Sequence, residues 1–242
     1  MFGLKWGGGG KTPKYPVEFD ADDKEIVQRV IDKKLSMVGR ERLFATLMAC
    51  RHVARNDIEG DFVECGVWRG GNGMIAADIF SRLCKPAKIY LYDTFAGMTE
   101  PTMHDIETTS GEQASARYAR ERKDAINDWC FASLEDVKHN FREVGLLSDY
   151  VRMIEGDVLE TLKDEDNLPN NISVLRLDTD WYESTLIELE TFWPRLQPGG
   201  ILMVDDYGHW GGARKAVDEY FEARPRPFFS YIDYTGRLAV KA

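Results

Sequence analysis

No stretch of the 242 residues is both apolar and long enough to cross a bilayer. The start, Met1 to Lys14, holds no apolar core beside a cleavage site, so neither a membrane partner nor a secretory signal is expected. Cysteine is scarce. Cys50, Cys65, Cys84 and Cys130 stand far apart, with no CxxC pair and no histidine at zinc spacing. That excludes a thiolate zinc site and points to reduced thiols in a cytoplasmic protein. Basic charge is also in deficit: 31 Lys and Arg against 41 Asp and Glu leave a net charge of -10. Phosphate neutralisation needs clustered cations, so nucleic acid is not an expected partner. No internal repeat is visible.

What is present is an alternation of short apolar runs with helical patterns. A glycine-rich opening, Gly7 to Gly10, reads as a flexible lead-in. Helical stretches follow over Asp22 to Lys34 and Arg40 to Ala54, the second with Leu43, Leu47, Cys50 and Ala54 on one face. Residues 1–55 form this helical lead-in, and 56–242 form the main domain. There Phe62–Val67, Lys88–Phe95, Tyr150–Ile154, Ile172–Asp178 and Gly200–Asp206 read as strands buried on both faces. Helical patterns separate them at Gly70–Cys84, Leu134–Val144 and Glu183–Trp193, and another follows at Ala213–Ala223. Such alternation predicts an α/β fold with a doubly wound parallel sheet. Two last runs, Phe228–Asp233 and Arg237–Lys241, flank the turn Tyr234-Thr235-Gly236 and predict an antiparallel edge hairpin, for about seven strands in all. The stretch of about 96–131 breaks the rhythm. It has no strand pattern and a charged helical run near Arg117 to Asp128, and it follows a strand's carboxyl end, where a lid over a ligand is expected.

Phe62-Val63-Glu64-Cys65-Gly66-Val67-Trp68-Arg69-Gly70-Gly71 runs from strand through glycines into helix, a loop that lets backbone approach a nucleotide-type cofactor. A dinucleotide fingerprint needs glycine two residues after Gly66 to admit a pyrophosphate, and Trp68 stands there instead. S-adenosylmethionine (SAM) has no phosphate, so the loop need only receive its methionine tail, with Glu64 orienting the amino group. Asp93, ending Ile89-Tyr90-Leu91-Tyr92-Asp93, can accept from both ribose hydroxyls, a role an NAD enzyme would also assign it. Asp157 is placed to meet an adenine amino group or to cap the next helical turn, two compatible roles.

Leu175-Arg176-Leu177-Asp178-Thr179-Asp180 and Leu202-Met203-Val204-Asp205-Asp206-Tyr207 end two strands. If the strands are neighbours, Asp178, Asp205 and Asp206 converge, and three carboxylates repel unless a hard divalent cation joins them. Magnesium, calcium and manganese all suit such ligands. The alternative, that each Asp merely caps a turn, suits one such residue better than three. Asp180, one residue beyond the tip, is a candidate general base. His209, in a glycine-flanked loop, is the second candidate.

Together these stretches resemble the macrocin O-methyltransferase (TylF-like) family, with Tyr92-Asp93-Thr94-Phe95-Ala96-Gly97-Met98, Asp178-Thr179-Asp180-Trp181-Tyr182-Glu183-Ser184-Thr185 and Pro198-Gly199-Gly200 among the matching residues. The resemblance implies a class I SAM-methyltransferase fold, Rossmann-like, with a SAM site drawing on Glu64, Gly66, Val67, Trp68, Gly70, Asp93, Thr94, Asp157 and Asp178. It further implies Mg2+ on Asp178, Asp205 and Asp206, and Asp180 or Asp178 in proton removal. The implied substrate is a sugar hydroxyl of a glycoside or of a nucleotide- or polysaccharide-linked sugar. A homo-oligomer is compatible with it. Three other readings stand beside this one: an NAD oxidoreductase, a methyltransferase for catechol-like phenols, and a non-catalytic SAM-fold binding protein.

Overall fold

A capping box opens the first helix: the Asp20 side chain accepts from the Asp23 amide, and Asp23 returns the bond to the Asp20 amide. In the computed structural model, which describes residues 14–123 and 126–242, this helix is α1 (Ala21–Asp32). The Gly7–Gly10 stretch lies outside the described residues. Then come α2 (Arg40–Arg55), β1 (Asp61–Cys65), α3 (Gly71–Arg82) and β2 (Ile89–Asp93). The insertion holds α4 (Ala114–Glu121), β3 (Arg122–Lys123) and β4 (Ile126–Asn127), and α5 (Leu134–Glu143) follows it. The second half runs β5 (Val151–Glu155), α6 (Val158–Thr161), β6 (Ile172–Leu177), α7 (Tyr182–Phe192), β7 (Leu196–Val204) and α8 (Gly211–Tyr220), and ends with β8 (Ser230–Tyr231) and β9 (Arg237–Val240).

Seven strands form one sheet in the order β5-β2-β1-β6-β7-β9-β8. The first five are parallel, and β9 pairs antiparallel with both β7 and β8. The chain steps outward from β1 to β2 to β5, then crosses back to place β6 on β1's other side. Open α/β sheets receive ligands in the crevice at such a reversal, beyond the strands' carboxyl ends.

Side-chain alternation along the strands builds two cores. Phe62, Leu91, Val174, Ile201 and Met203 face α1, α2, α3 and α5, where Val27, Leu47, Ile75 and Phe141 meet them. Val63, Leu175, Leu177, Leu202 and Val204 face the other way, against Leu189 and Phe192 of α7 and Val217 and Tyr220 of α8. Burying each such aliphatic or aromatic side chain contributes about 1.5–3 kcal/mol. The lead-in helices therefore share the domain's core. Among the described residues, no helix is long and apolar enough to cross a membrane.

The insertion departs from the sequence expectation. Its helix begins earlier and stops at Glu121, and a two-stranded hairpin, β3 with β4, replaces the rest of the charged run. Beyond Glu121 the run turns to Arg122 and Lys123, both exposed, which offer no apolar surface to hold a further helical turn. Buried Asn127 instead ties the chain back: its amide donates to Ala96 O at 3.0 Å and its side chain to Tyr118 O at 3.1 Å.

Candidate active site

Strand register brings the site together. Cys65 pairs with Leu177, and Leu177 with Val204. Beyond that row the Asp178 amide donates to Cys65 O, the Asp205 amide to Leu177 O and the Gly66 amide to Tyr92 O, each at 2.9 Å. The expected strands stop a residue or two sooner than their apolar runs, so the acids begin the loops. Gly66 is in the left-handed region at φ +83°, and a Cβ there would lie 2.0 Å from Asp178 O. Only glycine lets the two loops touch. These loops line one cleft of about 440 Å³.

At one end of the cleft Asp93 organises the glycine loop. Its Oδ2 accepts from the Val67 amide at 2.6 Å and the Trp68 amide at 3.0 Å, and its Oδ1 accepts from Phe95 at 2.8 Å. Burial pushes this carboxyl up while the three amides pull it down. Two equivalent ribose contacts were expected here; Oδ2 is already doubly engaged, and Oδ1 keeps a lone pair. Glu64, Val67, Trp68, Thr94 and Asp157 also line the cleft. The Thr94 hydroxyl donates to Gly97 O at 2.6 Å, and Asp157 caps α6 by accepting from the Leu159 amide at 2.9 Å. Gly70 does not line the cleft. It is the left-handed N-cap of α3, packed where a Cβ would lie 2.8 Å from the Phe141 ring, so its freedom serves helix packing.

At the other end Asp178, Asp205 and Asp206 each offer an oxygen, all within 4.8 Å of one another. Two guanidiniums that sequence reading gave no role stand among them. Arg176 is fully buried on β6, directly across from Glu64 on β1. Its Nη1 donates to Asp178 Oδ2 at 2.6 Å and to Glu64 Oε1 at 3.0 Å, and its Nη2 to Asp205 Oδ1. Arg42 comes from α2, pairing with Asp205 Oδ2 and, at 3.0 Å, with Asp233 Oδ2. Burial opposes the Arg176 charge, but Asp178, Asp205 and Glu64 outweigh it and hold the group protonated. A charged residue inside an otherwise apolar strand must find a buried counter-ion, and this was the available signal for Arg176. Arg42 left no such mark in a helix of mixed polarity.

Negative charge remains in excess. Burial drives Asp178 and Asp206 well above the usual carboxylate range, with neighbouring acids reinforcing the shift. Glu64 rises to about 7 through burial, against the pull of Arg176. Asp180 rises to about 7 through burial and the charge of Asp178, while hydrogen bonds to Asp206 and Trp210 oppose the rise. An all-oxygen set with unbalanced charge fits a hard divalent cation, because Asp178 and Asp205 retain lone pairs beyond their guanidinium bonds and Asp206 makes no guanidinium bond among the described residues. His209 lines the same cleft, half-buried, with Nδ1 3.4 Å from the Tyr234 hydroxyl and Nε2 3.9 Å from Glu107 Oε1. Burial lowers its pKa below 6.5.

The insertion forms the cleft's outer wall through Met98, Arg117, Trp129 and Cys130. Trp129, Trp181 and Trp210 meet edge to face or tilted, with ring centres 5.1–5.8 Å apart, and the Arg117 guanidinium lies 4.1 Å over Trp129. Sequence reading missed this cluster, because its members are spread over three distant segments.

The macrocin O-methyltransferase (TylF) family matches residues 10–237. The chain belongs to that family. It is 33% identical over 211 residues to a tetracenomycin rhamnosyl 4'-O-methyltransferase of Streptomyces olivaceus, covering 87% of this chain and 76% of that one. It is 34% identical over 190 residues to demethyldecarbamoylnovobiocin O-methyltransferase of Streptomyces niveus, covering 76% and 67%. Among solved structures, the O-methyltransferase NovP superposes with a TM-score of 0.74 at 30% identity, covering 86% of this chain and 82% of that one. The homologues are sugar O-methyltransferases of antibiotic biosynthesis, and the fold is that of class I SAM-dependent O-methyltransferases. A Bacillus cereus O-methyltransferase with the same fold, at 14% identity and a TM-score of 0.55, was solved with SAH.

Proposed function

We propose that this protein transfers a methyl group from SAM to a hydroxyl of a deoxysugar, with Mg2+ held by Asp178, Asp205 and Asp206. The observation that carries the reading is the meeting of these acids, in one cleft, with the Glu64-to-Trp68 loop and Asp93. The sugar acceptor is inferred from relatives that act on a rhamnosyl group and on a novobiocin precursor. When bound, SAM supplies the electrophilic methyl and the ion supplies positive charge beside the acceptor oxygen.

The chain's own residues do the rest. Asp93, Asp157 and Glu64 line the cleft and would hold SAM, with Glu64 orienting its amino group. Bound SAM would supply the methyl group to the acceptor oxygen with loss of its carbon–sulfur bond, and the Asp180 carboxylate would take the hydroxyl proton. Trp129 and Trp210 line the same cleft and offer aromatic surface to the acceptor.

Calorimetry with SAM and with NADH, followed by assays of methyl transfer to rhamnosides with Mg2+ and after EDTA, tests this. SAM binding in the micromolar range and chelator-sensitive transfer are expected. NADH binding without SAM binding would overturn the cofactor assignment, and full turnover in chelated enzyme would remove the ion.

A further inference from the structure

Asp105 belongs to the insertion, yet its side chain is 0% exposed and bonds outside that segment. Oδ2 accepts from the Thr102 amide at 2.6 Å and the Thr102 hydroxyl at 2.9 Å, within the insertion. Oδ1 accepts from the amide of Tyr182, the first residue of α7, at 2.8 Å. Helix amino termini leave amides without partners, and the residues just before α7 and α8 are both tryptophan, Trp181 and Trp210, making no side-chain cap. Asp105 supplies the missing cap to α7 from another part of the chain. It also touches α8: a Cβ on Gly212 would lie 1.9 Å from Oδ1, so the first turn of α8 needs glycine to admit the carboxylate.

Backbone bonds confirm that the junction is tight. The Gly211 amide donates to Ile106 O and the Thr108 amide to His209 O, both at 2.8 Å. Only Trp181 separates Asp180 from α7, and α8 follows directly on the loop that leaves Asp206. One buried carboxylate thus joins the cleft's outer wall to both acid-bearing loops.

We propose that Asp105 is a positioning residue for methyl transfer: by capping α7 and seating α8, it locks the insertion and the Asp178–Asp180 turn into one arrangement. The proposal rests on the methyl-transfer reading above. A carboxylate that only glued the insertion in place would affect acceptor binding alone. One that sets the acid turn affects the transfer step as well, where small misplacements cost about ten- to a hundredfold.

Asp105→Ala, Asp105→Asn and Thr102→Val separate these roles. Steady-state kinetics is combined with hydrogen exchange at the Tyr182 amide and SAM affinity by calorimetry. In Asp105→Ala, kcat falls at least about tenfold, the Tyr182 amide exchanges at least about tenfold faster, and SAM affinity is unchanged. Thr102→Val, which loosens only the insertion side, raises acceptor KM and leaves kcat alone. Asp105→Asn keeps an oxygen for Tyr182 and recovers most of kcat; if the alanine variant does not fold, Asp105→Ser, too short to reach the Tyr182 amide, takes its place with the same expected and overturning outcomes. Wild-type kcat in Asp105→Ala, or unaltered Tyr182 exchange, overturns the proposal. If the wild type transfers no methyl group to any sugar, the exchange result still stands and the functional reading fails instead.

Discussion

Arg176 Nη1 lies 2.6 Å from Asp178 Oδ2 and 3.0 Å from Glu64 Oε1, so one buried guanidinium ties the strand that leads into the glycine loop to the acid cluster. The pairing follows from register, since Glu64 and Arg176 are neighbours on adjacent strands and point to the same face.

Removing the guanidinium leaves Glu64 and Asp178 without their cation, while Asp205 keeps Arg42. Arg176→Met keeps the bulk and loses the charge, and breaking a buried pair in this way costs about 3–5 kcal/mol. Thermal unfolding should show a drop of many degrees. A midpoint within a degree or two of wild type would mean that the acids simply take up protons and the arginine is dispensable to the fold.

Glu188 on α7 is buried away from the cleft, with the Thr179 hydroxyl donating to Oε1 at 2.9 Å and Oε2 unpartnered. Burial pushes it up to about 8 from 4.5, so the folded state holds its proton when the unfolded chain has lost it. Its stabilising contribution is complete below about pH 4.5 and is lost as pH rises through about 8. Glu188→Gln, neutral at every pH, should escape this loss. The gap in unfolding free energy between variant and wild type should widen by roughly 3–5 kcal/mol from pH 5 to pH 9. Parallel pH profiles for the two proteins would show that Glu188 is not the titrating group.

Asp180 should behave as the base. Asp180→Asn is expected to cut the methyl-transfer rate by about a hundredfold or more, with SAM and Mg2+ affinities little changed. His209→Ala should keep most of the activity, because its ring nitrogens face Tyr234 and Glu107. Normal turnover in Asp180→Asn with a dead His209→Ala would reverse the assignment.

Much of this protein was legible in its sequence because the signals are local. Apolar runs alternating with helical periodicity established the parallel sheet, and Tyr234-Thr235-Gly236 marked the edge hairpin. Strand-end acids pointed to Asp93, Asp178, Asp205 and Asp206, since the carboxyl edge of such a sheet gathers what its loops carry. Three-dimensional packing decided what no window of residues contains. Arg42 reaches Asp205 from a helix 163 positions away, and Asp105 caps a helix that begins 77 positions later. Gly70 looked like a cofactor glycine but is needed under Phe141. Long-range partners of this kind are chosen by burial, because a desolvated charge or amide must pair with whatever the fold brings beside it.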